Sequence, residues 1–375
     1  MDRFGIVDDE TITEGNCTDI YFDRTTAALE HDGMNPVVTA EITASSLPFE
    51  WGVFCGLADV VTLFEKRNAS ITALPEGSVF YPGEPVIRIQ GPYLEFCRLE
   101  TALLGFICHA SGIATSAARI KAEAGGREVY SFGSRRQHPA IARMIERAAW
   151  IGGVDGVSNT CAHEGIPVVG TIPHALIMCY GNAEDAWASF DRTAPPDVPR
   201  VYLCDTYCDE KREVLAAARA GATAVRLDTP RSRRGDMHAI LEEVRWELDV
   251  HGFEGVGIFL SGGLTIDDVI AYRDQVQAFG IGGAIANAPV IDFSLDIVEI
   301  EGKPVSKRGK KSGVKEVYAG PGIRVVRPAA LSPPEGAVPL LEPYTNGGVV
   351  LRQCDMHASR ARVLASIASF SALEK

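Results

Sequence analysis

Ala224-Val-Arg-Leu-Asp228 is a short apolar strand that ends in a carboxylate, and the same grammar recurs on both sides of it. Before it come Val129-Tyr-Ser-Phe-Gly-Ser-Arg135, Gly156-Val-Ser-Asn-Thr160, Val168-Val-Gly-Thr-Ile-Pro-His174 and Val201-Tyr-Leu-Cys-Asp-Thr206. After it come Ile258-Phe-Leu-Ser-Gly-Gly263 and Phe279-Gly-Ile-Gly-Gly-Ala284. Helical stretches often follow these runs. Strands alternating with helices imply a parallel sheet with helical crossovers. Seven such units between Arg127 and Ile285 predict an α/β barrel or near-barrel, not an open doubly wound sheet. No G-x-G-x-x-G opens the first helix, as a dinucleotide-binding sheet would require.

The flanks read differently. Thr39-Ala-Glu-Ile-Thr-Ala44 alternates like a half-exposed strand, Gly52 to Lys66 reads as a helix, and Ala69 to Ile89 is rich in short strands. Leu74-Pro-Glu-Gly77 and Tyr81-Pro-Gly-Glu-Pro85 are turns between them. Leu94 to Ala124 suits one long buried helix with a break expected near Gly112. After Pro289 the barrel rhythm stops. Ser294 to Ile300 alternates like a strand, Lys303 to Lys315 reads as a basic surface loop, residues 319–345 are rich in Pro and Gly, and Ala358 to Leu373 reads as a helix. The division expected is an N-terminal α/β domain over 1–110, a barrel over 111–288, and a segment over 289–375 that packs back on the first domain.

At 375 residues the chain is long enough for about two domains. A net charge of -13 argues against nucleic acid as a partner, because such a partner needs a basic face. The longest apolar stretches read as shorter than a membrane span, and Met1-Asp-Arg-Phe-Gly5 has no apolar signal core. Nine cysteines without a dense framework fit a reducing cytoplasm.

Side chains at successive strand ends of a barrel converge on one pocket. Here they are Arg135 and Arg226, Asp205 and Asp228, Ser158, Thr160 and Thr171, and His174. Arginine forks suit carboxylates and phosphates. The glycine turns Ser261-Gly262-Gly263 and Gly280-Ile-Gly282-Gly283 would offer backbone N–H groups to a phosphate at the late strands. His174 titrates near neutrality and can be base, acid or nucleophile; the plainer alternative is a solvated loop histidine. Asp228 can equally be a salt-bridge partner of Arg226, and the two acids can hold Mg2+ through water. His109 reads as a core or interface histidine and His163 as lying at a helix end. Cys354-Asp-Met-His357 has no second pair to make a zinc site.

Taken together, these segments resemble the nicotinate phosphoribosyltransferases in their shorter archaeal and bacterial form. The resemblance runs through Thr18-Asp19-Ile-Tyr21-Phe22, Leu74-Pro-Glu-Gly77, Leu99-Glu-Thr-Ala-Leu-Leu104 and Ser131-Phe132-Gly-Ser-Arg135-Arg136. It continues through Ser158-Asn159-Thr160, Gly170-Thr171-Ile-Pro-His174, Asp205-Thr-Tyr207, Val225-Arg226-Leu-Asp228, Phe279 to Gly283 and Gly302-Lys-Pro-Val-Ser-Lys-Arg308. It implies an α/β fold in which an incomplete parallel barrel joins an N-terminal, β-rich α/β domain completed by the C-terminal tail. It implies nicotinate, phosphoribosyl pyrophosphate and ATP as substrates, Mg2+ as cofactor, and nicotinate mononucleotide and pyrophosphate as products, in NAD biosynthesis. His174 matches the phosphorylated histidine of ATP coupling. Phe132 and Arg135 match the pyridine-binding segment. Arg226 and Asp228 match groups that bind phosphoribosyl pyrophosphate, and the glycine turns match the 5'-phosphate site. Asp19 and Tyr21 match residues that reach the pocket across a homodimer interface. The tail lacks the paired cysteines that hold a zinc knuckle in some short members. Rival readings are a quinolinate or nicotinamide phosphoribosyltransferase, or a non-catalytic binder of a phosphorylated ligand.

Overall fold

The computed structural model describes residues 4–228 and 235–373; residues 1–3, the start of the segment read for a signal core, lie outside them. The chain forms two compact units, Met1–Thr115 with Pro289–Phe370, and Ser116–Ala288 with Ser371–Lys375.

The first unit is built on a seven-stranded antiparallel sheet in the order Lys303–Pro304, Phe293–Ile300, Val37–Ala44, Pro85–Pro92, Ser70–Ala73, Glu342–Asn346, Val349–Val350. The three middle strands come from the first hundred residues and both edges from the returning tail. One apolar cluster backs the sheet, including Ile42, Ile71, Ile87, Leu57, Val60, Phe64, Leu103 and Ile107. The basic stretch after Lys303 is tied down: Lys307 and Lys310 both pair with Asp296, and Lys315 pairs with the buried Glu41 at 2.9 Å. The Pro- and Gly-rich region holds a three-stranded antiparallel sheet (Lys315–Gly320, Ile323–Pro328, Val338–Pro339) that its composition concealed. Gly52–Val53 is a strand, and the helix expected from Gly52 runs only over Leu57–Leu63. Gly56, with φ of +97°, turns the chain into it.

The long helix Glu100–Glu123 carries the chain from the first unit to the second. It is unbroken at Gly112. A Cβ there would lie 2.3 Å from the carbonyl oxygen of Pro289, so the glycine admits a crossing backbone and does not interrupt the helix. The stretch Tyr93–Glu123 is, against expectation, long and apolar enough to cross a membrane, because charged residues are sparse along it; most of it is buried, as in a core helix.

The second unit is a curled parallel sheet. Its strand order is Gly156–Val157, Glu128–Ser131, Ala278–Ile281, Gly257–Ser261, Ala224–Leu227, Val201–Leu203, and every pairing is parallel. This is the cyclic order of a barrel. The expected strand over Ile166–Val169 contributes a single bridge, Val157 to Val168. Pro167 has no N–H to extend a ladder and Gly170 follows at once. Six strands and one bridge thus replace the seven strands expected. No pairing joins that bridge to Val201–Leu203 among the described residues, so the barrel is incomplete there. The helices His174–Tyr180 and Ala183–Thr193 occupy the intervening chain.

Gly112→Ala separates helix propensity from packing. Propensity alone would stabilise the variant by about 1 kcal/mol. The clash with Pro289 costs more, and a net loss of about 1–3 kcal/mol is expected from overpacking. Urea denaturation of both proteins measures the sign.

Candidate active site

Period-two alternation puts Arg226 on the opposite face from the buried Val225 and Leu227. The ladder sets Arg226 beside Leu203 on one side and Phe259 on the other. From there its guanidinium reaches four segments. Nη2 pairs with Asp228 Oδ2 at 2.8 Å, Nε donates to Ser261 Oγ at 3.0 Å, and Nη1 donates to Thr171 Oγ1. The group also lies 5.6 Å from the centre of the Phe132 ring. Ser261 Oγ donates in turn to Asp228 Oδ1. The barrel therefore gathers Thr171, Arg226, Asp228 and Ser261 into one bonded network. The salt-bridge reading of Asp228 holds.

His174 opens its helix at the rim of this network. Nδ1 is 3.0 Å from Thr206 Oγ1. Nε2 lies 3.9 Å from Asp205 Oδ1 and 3.7 Å from Asp228 Oδ2, too far for hydrogen bonds, and has no hydrogen-bond partner among the described residues. Asp205 Oδ2 accepts the backbone N–H of Asp228 at 2.9 Å. Asp205 has φ of +130°, a conformation that a non-glycine residue holds only when its surroundings impose it.

The proposed pyridine segment lies just past the strand Glu128–Ser131. Arg135 is in the single turn Ser134–Arg136, not on the strand; it is exposed and makes no side-chain bond among the described residues. Asn159 Nδ2 donates to Ser134 Oγ at 3.1 Å, and its Oδ1 accepts from Cys161 N. Ser158 and Thr160 are exposed on the same loop. Beneath it the sequence reading missed Glu146, a fully buried acid on the helix Ala142–Ile151. Burial pushes its carboxyl up, against the pull of Ser134, Ser131 and the Asn159 backbone.

The glycine turns divide. Gly262 and Gly263 have φ of +106° and +73°, which the turn after Gly257–Ser261 requires. Gly282 and Gly283 start the short helix Gly283–Ala286, and a Cβ on Gly282 would meet nothing closer than 3.7 Å. Gly280 is not a cradle residue. It lies within the strand Ala278–Ile281, and a Cβ there would come 2.6 Å from the Phe132 ring. Its missing side chain seats that ring. Ser261 is likewise committed, its hydroxyl held by Arg226 and Asp228.

Asp19 and Tyr21 belong to the first unit. Asp19 Oδ2 accepts from Thr101 Oγ1 at 2.9 Å and from the Tyr21 hydroxyl at 3.3 Å, and Tyr21 is 54% exposed. Next to Thr101, burial pushes the Glu100 carboxyl up to about 7, with Lys307 opposing and Asp296 and Asp19 adding to the rise. Burial lowers His109 and His163, and His163 lies in a turn instead of at a helix end. Asp355 of the Cys354–His357 stretch caps a helix, its carboxylate accepting from the backbone of His357 and Ala358.

Among the described residues no three His, Cys, Asp or Glu side chains form a metal cage. Asp205 and Asp228 can contribute to a Mg2+ site only together with waters and substrate oxygens, an arrangement that this hard cation accepts.

A family profile described as quinolinate phosphoribosyl transferase, N-terminal domain, matches residues 19–111, and the profile of the C-terminal domain matches residues 113–296. The chain belongs to that family. This family member is 47% identical to a nicotinate-nucleotide pyrophosphorylase from Pyrococcus furiosus of known structure, with a TM-score of 0.96 over 99% of each chain. Human nicotinic acid phosphoribosyltransferase shares its fold, with a TM-score of 0.77 at 20% identity over 94% of this chain and 93% of that one. A nicotinate phosphoribosyltransferase of Mycobacterium tuberculosis is 34% identical over 268 residues, 68% of this chain and 56% of that relative. The chain thus spans little more than half the length of that relative.

Glu100 gives a pH signature. Burial raises its pKa to about 7 in the folded protein, from the 4.5 of an ordinary glutamate, so the folded state holds the proton more tightly than the unfolded one. Stability falls as pH rises between those values and levels off above them. Glu100→Gln removes this loss. Allowing for the water that still reaches the group, the variant is expected to gain on the order of 1 kcal/mol over wild type at pH 8, about 2–4 °C in Tm. Thermal unfolding at pH 5 and pH 8 measures it, and an equal difference at both pH values would refute the assignment.

Proposed function

We propose that this chain transfers the phosphoribosyl group of phosphoribosyl pyrophosphate to nicotinate, giving nicotinate mononucleotide and pyrophosphate for NAD salvage. ATP hydrolysis is coupled to the transfer through His174. The carrying observation is the approach of His174 Nε2 to Asp205 and Asp228 at the strand ends where Arg226 and Thr171 meet. Relatives named as nicotinate phosphoribosyltransferases support the substrate.

In this reading the pyridine nitrogen lone pair forms the bond to ribose C1', and the bond from C1' to the pyrophosphate oxygen breaks with its electrons. No proton is transferred. The ring lies against Phe132, with its carboxylate toward Arg135. Charge leaving on pyrophosphate is met by Arg226; Asp205 and Asp228 would help to hold a Mg2+ ion, which would supply further charge neutralisation there when bound. Gly262, Gly263, Gly282 and Gly283 present backbone N–H groups to the 5'-phosphate. With Nδ1–H donating to Thr206, the Nε2 lone pair of His174 attacks the γ-phosphorus of ATP and ADP departs; water later attacks that phosphorus, the N–P bond breaks with its electrons returning to Nε2, and phosphate is released. Asp19 and Tyr21 serve a partner's pocket in a cytoplasmic homodimer.

A second reading has quinolinate as substrate, favoured by the name of the matching family. That reaction would also release carbon dioxide. One assay decides. Wild-type protein is given phosphoribosyl pyrophosphate with nicotinate, nicotinamide or quinolinate, with and without ATP, and mononucleotide and carbon dioxide are measured. Nicotinate is expected to lead, with ATP stimulating. Preference for quinolinate with carbon dioxide release overturns the substrate, and no product from any pyridine overturns the enzyme reading.

His174→Ala is expected to abolish ATP stimulation while leaving some ATP-independent product; full stimulation in the variant would exclude His174 as the phosphorylated group. Arg135→Ala is expected to lower kcat/KM for nicotinate about tenfold or more, since loss of a charged partner costs about 2–5 kcal/mol and each decade is about 1.4 kcal/mol. Nicotinamide should suffer less. Equal losses would mean that Arg135 does not read the carboxylate.

A further inference from the structure

Glu213 occupies a position where an acid is out of place. In the helix Glu210–Arg219 it shares a stripe with Val214 and Ala217, both fully buried, and is itself only 5% exposed. Its carboxylate is nevertheless satisfied. Oε2 accepts the backbone N–H groups of Asp205 at 2.6 Å and Thr206 at 3.0 Å, and Oε1 accepts those of Tyr207 and Cys208, each at 3.1 Å. Four consecutive amides of one loop thus converge on one side chain. The helix start does not depend on it, since Asp209 caps the helix by accepting from Arg212 N at 3.0 Å.

The loop so held carries both contacts to the His174 ring. Thr206 Oγ1 meets Nδ1, and Asp205 Oδ1 faces Nε2. Asp205 is also the residue with φ of +130°, and Glu213 grips the amides on its own nitrogen and on the next. An acceptor of full negative charge suits this task, because charge-assisted bonds to backbone N–H groups are shorter and stronger than neutral ones. A residue held in an unfavourable backbone conformation needs such over-determination.

We infer that Glu213 is the positioning residue of this site: it pins the 205–208 loop so that Thr206 fixes the His174 ring and Asp205 faces Nε2, without itself touching substrate. The catalytic part of the inference rests on the proposed phosphoribosyl transfer; the geometric part does not.

Two measurements test it. In wild-type protein, hydrogen exchange at the amides of residues 205–208 is expected to be strongly slowed, although Tyr207 is 53% exposed. Exchange at unprotected rates would overturn the inference with no variant needed. In Glu213→Gln the new NH2 group points donors at one pair of amides while the other pair keeps its acceptor. With 15N-labelled histidine, the ring nitrogen shifts of His174 are expected to move while those of the other seven histidines stay. Unchanged His174 shifts in a folded variant would overturn the inference whatever the activity. If wild type makes nicotinate mononucleotide, the variant is expected to lose about tenfold or more in kcat with KM for nicotinate nearly unchanged. ATP-driven labelling of His174 should fall in parallel. A fall in thermal stability with kcat intact would reduce Glu213 to a structural role. Wild type without transferase activity would refute the proposed function, and the His174 shifts would still decide the geometry.

Discussion

The second unit depends on one guanidinium. Arg226 leaves a parallel strand whose neighbours on either side are fixed by register, and each of its three nitrogens has a different partner. Those partners come from the segment after the bridge, from its own strand end and from the adjacent strand end. A flat fork can serve three directions at once, whereas an ammonium cannot. At 13% exposure of its side chain the charge is largely removed from water, which is tolerable because Asp228 stands 2.8 Å away. The network defines where Thr171 and Asp228 stand, and so what surrounds His174.

The incomplete barrel follows from the same region. A seventh strand would have closed the curl beside Val201–Leu203, but Pro167 and Gly170 limit that segment to one bridge. The chain then turns into a helix whose first residue is His174. A histidine at that point is clear of the ladder and free to face the carboxylates of two strand ends. In a fully paired strand its side chain would alternate with the core positions. The parallel sheet expected from the strand-and-helix rhythm is present, and the gap sits where the rhythm carried the most prolines.

Much of this was legible in the residues. Asp205 and Asp228 stand just past strand ends because an apolar run that terminates in a charge surfaces there, and Arg226 faces away from Val225 and Leu227 by the strand's alternation. Some was hidden because local pattern does not record what approaches from elsewhere. Gly280 looks like part of a phosphate-binding turn, yet its role is to lie under the Phe132 ring. Gly112 looks like a helix breaker and is a crossing point for backbone. The three-stranded sheet after Lys315 was masked by Pro and Gly at its turns. Glu213 did leave a trace: an acid in register with Val214 and Ala217 is a buried charge in need of a partner, and the four amides of the preceding loop that it holds are invisible to periodicity alone.

The distribution of satisfied and unsatisfied charge bears on substrate choice. Arg226 is committed to Asp228, Ser261 and Thr171, so a pyridine carboxylate that recruited it would have to break bonds already made. Arg135 carries no such commitment among the described residues, and it is exposed one turn beyond Phe132. A cation that is solvated in the free protein and finds its first partner in the ligand gives up water but no protein bond. Binding an anion there costs the fold nothing, while a neutral amide in the same place would leave the guanidinium desolvated without a counter-charge. The asymmetry between these two arginines, one already bonded within the strand-end network and one without a protein partner among the described residues, is the physical basis for the proposal that the pyridine substrate is an acid.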